Sequence, residues 1–335
     1  MKAIIASKLN LENRQALQEV IPLSTPFLLY IDPSSLCNLK CVFCPTGHSS
    51  LKVGYKRGIM PFELFAKIID DLNDFPKPIK VLRMNKVGEP LLNNQIAKMV
   101  RYAKNSNSVE FIDFATNFIL FNNELFEELI SAGLDRINIS LEGVSDLQYK
   151  QYCGVNISLK NIVNNIKWLY SNRGKCEIVI KAPMNYMSAE DKQNFFDTFG
   201  EFCDRISLEN LTSIWPGFDI SSLSGLFIAD KSQYVELPVR KLAVCTYIFY
   251  SMAINSDGSV SACCPDWQQQ LVVGNVNTQH LHDIWHGKKM RELQICHLRL
   301  EREKIDVCAQ CGHITYCQVD DIDKYAKDIL QRINI

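Results

Sequence analysis

Three cysteines fall within the eight residues of "CNLKCVFC", Cys37, Cys41 and Cys44, directly after the extended run "FLLYIDPSSL". Thiolates are soft ligands, and C-x3-C-x2-C on a loop leaving a strand lets all three sulfurs reach one centre without ligands from elsewhere. Two chemistries compete at this spacing. An iron–sulfur cubane would be held at three corners with one iron open, whereas zinc would recruit the nearby His48 into a Cys3His tetrahedron. Simple burial is the third reading. A second group, Cys245, Cys263, Cys264, Cys296, Cys308, Cys311 and Cys317, lies at the far end of the chain. Two separated cysteines followed by C-x2-C also match a zinc ribbon. Between the groups, Cys153, Cys176 and Cys203 sit in apolar or strand-like contexts and read as small buried hydrophobes.

The whole chain limits what surrounds these groups. It has 335 residues with 36 basic and 37 acidic side chains, a balance that gives no electrostatic footprint for nucleic acid or an anionic membrane. The apolar run in "MKAIIAS" is too short for a signal peptide, and no stretch reaches the roughly 18 apolar residues of a membrane span. A cytoplasmic protein is expected. In that reducing compartment thirteen cysteines point to metal ligation or thiol chemistry rather than disulfides.

What must position the front cysteines is a β/α alternation from Phe27 to about Trp215. The strand-like runs are "FLLYID", "IKVLRMN", "VEFIDFATN", "RINISLEG", "CEIVIKAPM" and "RISLENLTSIW". Helical periodicity separates them, as in Phe62, Phe65, Ile68, Ile69 and Leu72, or Leu125, Phe126, Leu129 and Ile130. Six such strands with right-handed crossovers predict an α/β fold, a parallel sheet. Along "RINISLEG" Asn138, Ser140 and Glu142 share one face opposite Ile137, Ile139 and Leu141. A closed barrel fills its interior with branched apolar side chains, so polar inner faces on six strands predict an open, partial (β/α)6 TIM barrel that holds a ligand. The expected division is an arm over 1–26 with a short helix near Glu12 to Val20, the partial barrel over 27–217, a linker over 218–240 and a small cysteine-stapled domain over 241–335. The last begins with short strands around an "SDG" turn and continues with one helix near "LHDIWHGKKMRELQ".

The front motif, with aromatic Phe43 before its last cysteine, resembles the signature of the radical S-adenosylmethionine (SAM) superfamily. "VGEP" at 87–90 resembles that family's GGEP motif, with Val87 in place of the first glycine. The resemblance covers roughly residues 27–215 and implies a SAM-binding [4Fe-4S] cluster on Cys37, Cys41 and Cys44. It also implies SAM contacts from Phe43, Gly88, Glu89, Pro90, Asn117 in "ATN", Ser140 and Glu142 in "ISLEG", and Lys181. In the family, reductive cleavage of SAM yields a 5′-deoxyadenosyl radical that takes a hydrogen atom from substrate inside a shielded barrel.

The rear pattern, Cys245-x12-Gly258-x4-Cys263 and then Cys308-x2-Cys311-x5-Cys317, resembles the SPASM domain of some radical SAM enzymes. Asp321 stands where a full SPASM domain has a further cysteine. This resemblance implies a SPASM/Twitch-like cluster-binding domain with one auxiliary [4Fe-4S] cluster on Cys245, Cys263, Cys308 and Cys311. Cys264 is then a free thiol, and Cys317 is a ligand of this cluster, a ligand of a second one with Asp321, or a free thiol; as free thiols both are candidate catalytic hydrogen-atom donors. The function expected from the resemblance is oxidation or epimerisation of a small carbohydrate-like substrate, with a flavodoxin- or ferredoxin-type electron donor. Glu142, Lys181, Glu209, Trp215 and the loop cations Lys52, Lys56 and Arg57 are the candidate substrate contacts. The alternatives are maturation of a ribosomally made peptide, and a non-enzymatic iron–sulfur or zinc protein.

Overall fold

The computed structural model describes residues 2–9, 11, 14–48, 50–51, 53–224, 226, 228 and 230–333. One ten-stranded sheet organises them: β1 (Ile4–Ile5), β2 (Leu28–Ile31), β3 (Ile79–Arg83), β4 (Val109–Thr116), β5 (Arg136–Ser140), β6 (Glu177–Pro183), β7 (Arg205–Glu209), β8 (Ser251–Ile254), β9 (Ser259–Ser261) and β10 (Val272–Asn275). Their order is β1-β7-β6-β5-β4-β3-β2-β8-β9-β10, parallel from β1 through β8 and antiparallel from β8 through β10. The six expected strands are β2 to β7, in sequence order across the sheet, with helices on the connections. The two edges, β1 and β10, do not pair with each other. The barrel is partial.

Alternation sets the faces. Ile137, Ile139, Ile178, Ile180 and Ile206 are fully buried, and the helices Phe62–Asp70 and Asn123–Ser131 bury apolar stripes of their own, Phe65, Ile68, Ile69 and Phe126, Leu129. The opposite face is polar and tied by ion pairs. Asp113 on β4 accepts two bonds from Arg83 at 2.7 Å and is also bound by Arg136 at 2.6 Å. Glu177 extends the chain of charge to Arg136 and Arg205. A buried carboxylate is stable only with such partners.

Three expectations change. The rear domain shares the barrel's sheet, since β8 pairs with β2 in parallel register. Two helices, Leu281–Trp285 and Lys288–Leu298, replace the single expected one. They part at Gly287, where a Cβ would meet the Asp283 carbonyl oxygen at 2.8 Å. In the arm, helix is confined to Leu17–Val20, and Glu12 lies outside the described residues. The arm instead adds β1 to the β7 edge. Arg14 then pairs with Asp320 at the far end of the chain. The expected linker is structured too: Phe218 and Ile220 pack against Trp267. The "SDG" turn is present, with Gly258 at φ +87°.

Candidate active site and a second cysteine cavity

At the C-terminal ends of the barrel strands lies a cavity of about 260 Å³ lined by Cys37, Cys41 and Cys44. The cysteine loop is held tightly. Lys40 and Val42 donate backbone bonds to Cys153 and Tyr152 at the end of the helix Asp146–Cys153, and Cys44 N–H bonds the Cys41 carbonyl at 3.1 Å. Gly47 permits this turn, since a Cβ there would meet the Cys41 oxygen at 2.4 Å. The Cys41 thiol makes a hydrogen bond with Cys153, and that bond, with burial, holds its pKa well up. Burial pushes Cys37 up to about 12.

"VGEP" braces the loop from the other side. A Cβ on Gly88 would lie 2.0 Å from the Ser34 carbonyl oxygen and 2.5 Å from that of Leu36. Val87 has no such restriction. Its carbonyl accepts from Thr46 Oγ1 at 2.7 Å. Glu89 is buried, and its carboxylate accepts from Leu91 N–H, Thr116 Oγ1 and Asn117 N–H at 3.0, 2.7 and 2.8 Å. That leaves about one of a carboxylate's four lone-pair sites for a cationic ligand. Asn117 bonds Asn38 Oδ1 at 2.8 Å, tying the end of β4 to the cysteine loop.

Phe43, Gly88, Glu89, Asn117, Ser140, Glu142, Lys181, Glu209 and Trp215, all expected at the site, line this one cavity. Pro90 stands behind it as the first residue of a 3-10 turn. Lys181 Nζ contacts Glu209 Oε2 at 2.9 Å. Burial opposes charge on both groups, yet each holds the other ionised, with Lys181 raised and Glu209 lowered. Glu142 differs. Burial lifts its carboxyl to about 7, against the pull of Lys181. Phe43 stacks on Tyr186, whose hydroxyl donates to the Glu142 carbonyl at 2.7 Å.

Other expected residues lie elsewhere. Lys56 is exposed and Arg57 donates to the Thr46 carbonyl at 3.1 Å; neither lines the cavity, and Lys52 lies outside the described residues. His48 Nε2 is engaged by the Val42 carbonyl at 2.8 Å and does not line the cavity. Cys264 and Cys317 do not line it either. Cys317 Sγ donates to Gln233 Oε1 at 3.0 Å, and Gln233, which does line the cavity, passes a bond to Glu209 at 3.0 Å. Cys264 bonds Tyr30. Sequence reasoning missed Gln233, Asn210 and Ile214 on the cavity wall, because loops carry no periodicity to place them.

Cys245, Cys263, Cys308 and Cys311 come together around a second, smaller cavity of about 30 Å³. Ile214 lines the first cavity and Pro216 the second, so the segment between them is the shared wall. Both cysteine sets suit a cluster better than zinc. Among the described residues neither brings three sulfurs within 4.8 Å of one another, whereas a tetrahedral zinc would hold them roughly 3.8 Å apart. The second cavity also has polar atoms, His297 Nε2, Arg302 Nε and His313 Nδ1, buried with no partner among the described residues. A sulfur-rich anion supplies acceptors for N–H groups so placed.

Known proteins similar to this chain bear on its family. Residues 31–187 match the radical SAM superfamily and residues 245–312 match SPASM, an iron-sulfur cluster-binding domain. The tungsten-containing aldehyde ferredoxin oxidoreductase cofactor-modifying protein of Pyrococcus furiosus is 24% identical over 297 residues, covering 78% of this chain and 81% of that protein. A GTP 3′,8-cyclase of Clostridium botulinum is 32% identical over 126 residues, about a third of each chain (36% and 37%). Among solved structures, BtrN in complex with AdoMet and 2-DOIA superposes with a TM-score of 0.55 at 18% identity, over 89% of this chain and 97% of BtrN. Streptococcus suis SuiB bound to S-adenosylmethionine gives 0.64 at 18%, over 90% and 74%. Among the described residues no helix is long and apolar enough to cross a membrane. The chain belongs to the radical SAM superfamily: it carries a radical SAM domain and a SPASM domain, which together take SAM and two [4Fe-4S] clusters.

Proposed function

We propose that this enzyme oxidises a small, hydroxyl-bearing, sugar-like substrate, with Cys37, Cys41 and Cys44 holding the SAM-binding cluster and Cys245, Cys263, Cys308 and Cys311 the auxiliary one. When bound, SAM and its cluster supply a 5′-deoxyadenosyl radical, and the auxiliary cluster supplies a one-electron acceptor. The shared wall carries the reading: the two cavities are one backbone segment apart, while neither Cys264 nor Cys317 reaches the first of them. Oxidation needs the first relationship. Epimerisation by a cysteine donor would instead need one of those two thiols in the first cavity.

The remaining roles belong to side chains of the cavity. Lys181, Glu209 and Gln233 form a bonded row suited to orienting hydroxyl groups. Glu142, lifted to about 7, accepts the hydroxyl proton. Phe43 and Trp215 exclude water. In sum a CH–OH group loses a hydrogen atom, a proton and an electron and becomes C=O. The fold alone does not choose the substrate, since it is shared by BtrN with 2-DOIA and by SuiB bound to precursor peptide SuiA.

The test is anaerobic turnover with SAM and a low-potential reductant, against a panel of aminocyclitols, sugars and nucleotide sugars. The reading predicts 5′-deoxyadenosine and ketone in equal amounts, retained in Cys264→Ala and Cys317→Ala. An inverted alcohol that disappears in either variant would replace oxidation with epimerisation. Turnover only on a peptide would replace the substrate class.

A further inference from the structure

The second cavity carries donors that its cysteines do not use. His297 lies in the last turn of the helix Lys288–Leu298 and is 1% exposed. Cys245 N–H donates to its Nδ1 at 3.2 Å. A ring nitrogen that accepts bears no proton, so this imidazole is neutral with its hydrogen on Nε2. Among the described residues that Nε2 is buried without a partner, and the ring lines the cavity beside the four cysteines. Arg302 repeats the arrangement: one Nη donates to the Cys308 carbonyl, while Nε is buried on the same wall with no partner among the described residues. The rest of the lining is largely apolar, with Pro216, Ile248, Leu271, Val307 and Ile314. Two buried N–H groups left unbonded would each cost about 1–3 kcal/mol. Their acceptor must therefore occupy the cavity.

We propose that His297 Nε2–H and Arg302 Nε–H donate to sulfur atoms of the auxiliary cluster and hold its reduction potential up. The proposal rests on the four-cysteine reading given above. One-electron reduction adds negative charge that is shared by the sulfurs, so donors aimed at them, and the guanidinium charge, stabilise the reduced cluster more than the oxidised one. The consequence is directional. The auxiliary centre becomes a better electron acceptor without any change in its ligands. His297 and Arg302 are positioning residues, acting through the cluster rather than on substrate.

The experiment uses the full chain carrying Cys37→Ala, Cys41→Ala and Cys44→Ala, so that only the auxiliary centre remains, and titrates it by EPR under anaerobic redox control. About four irons per chain in this background support the four-cysteine reading; no iron overturns that reading and this inference with it. Into the same background go His297→Phe, Arg302→Leu and His297→Gln. Both donor-deleting variants should keep their iron and titrate at a more negative potential. A tenfold change in the oxidised-to-reduced ratio corresponds to about 59 mV for one electron. His297→Gln keeps an N–H donor and should recover much of the shift. Unchanged midpoints with iron retained would overturn the proposal while leaving the ligand reading intact. Should His297→Phe fail to hold iron, the Arg302→Leu midpoint decides in the same way.

Discussion

The Sγ of Cys311 lies 3.7 Å from the carbonyl oxygen of Ile214, and those two residues line different cavities. The wall is as thin as it is because Gly312 follows the cysteine: a Cβ there would stand 2.0 Å from the Ser213 carbonyl oxygen. Backbone packs on backbone. On the proposed function, a radical formed in the first cavity would lie within one chain thickness of the second.

Gly312→Ala should push this wall apart. Overpacking of this kind costs about 1–3 kcal/mol, and the displaced segment carries both Ile214 and Trp215 into the first cavity. The expected result is uncoupling, with 5′-deoxyadenosine still formed but less ketone per 5′-deoxyadenosine. Product ratios measured by mass spectrometry check it; an unchanged ratio would mean that the contact is not on the electron route.

Gly88 and Val87 should respond oppositely to substitution. Gly88→Ala drives a methyl into two carbonyl oxygens, displacing Glu89 and its three hydrogen bonds, and SAM affinity should fall about tenfold or more. Val87→Gly meets no such constraint and should stay within a few-fold of the parent. Equilibrium dialysis with SAM measures both.

Much of this arrangement was legible in the sequence, for physical reasons. Strand alternation and helix periodicity are repeated signals, so β2 to β7 and their covering helices could be read, and the two cysteine groups were marked by ligand spacing. β1 could not be read. It is two isoleucines, 65% and 61% exposed, and only the free edge of β7 makes them a strand. The union of β8 with β2 was also hidden, since pairing across about 220 residues leaves no local pattern. Gln233, Ile214 and His297 reach their cavities through tertiary placement of loops and a helix end.

Glu142 should impose a pH dependence. Its pKa is shifted up to about 7 by burial, and a proton acceptor works only when ionised, so turnover should rise roughly tenfold per unit below pH 7 and level off above it. Glu142→Gln should lower the rate of ketone formation by about 10²-fold or more and remove that limb. A pH profile that is the same in both proteins would assign the proton to another group.

Asp113 should be a stability hinge of the barrel interior. Burial works against its charge, but Arg83 and Arg136 outweigh it and hold the carboxyl well below its ordinary 3.8. A depressed folded value means that the stabilisation is complete above about pH 4 and is lost as pH falls through the folded value. Asp113→Asn takes the carboxylate from Arg83, 14% exposed, and leaves Arg136, 12% exposed, with Glu177 alone at 3.5 Å, a loss of about 3–5 kcal/mol. Urea unfolding at pH 7 should reveal it, and the gap between the two proteins should narrow in acid.

The most direct test of the whole account is an iron, sulfide and zinc count on the anaerobically reconstituted chain. The account predicts about eight irons with matching sulfide, two cubanes, falling to about four when either cysteine set is replaced by alanine. About twelve irons would make Cys317 part of a third centre, and zinc with little iron would contradict the radical chemistry outright.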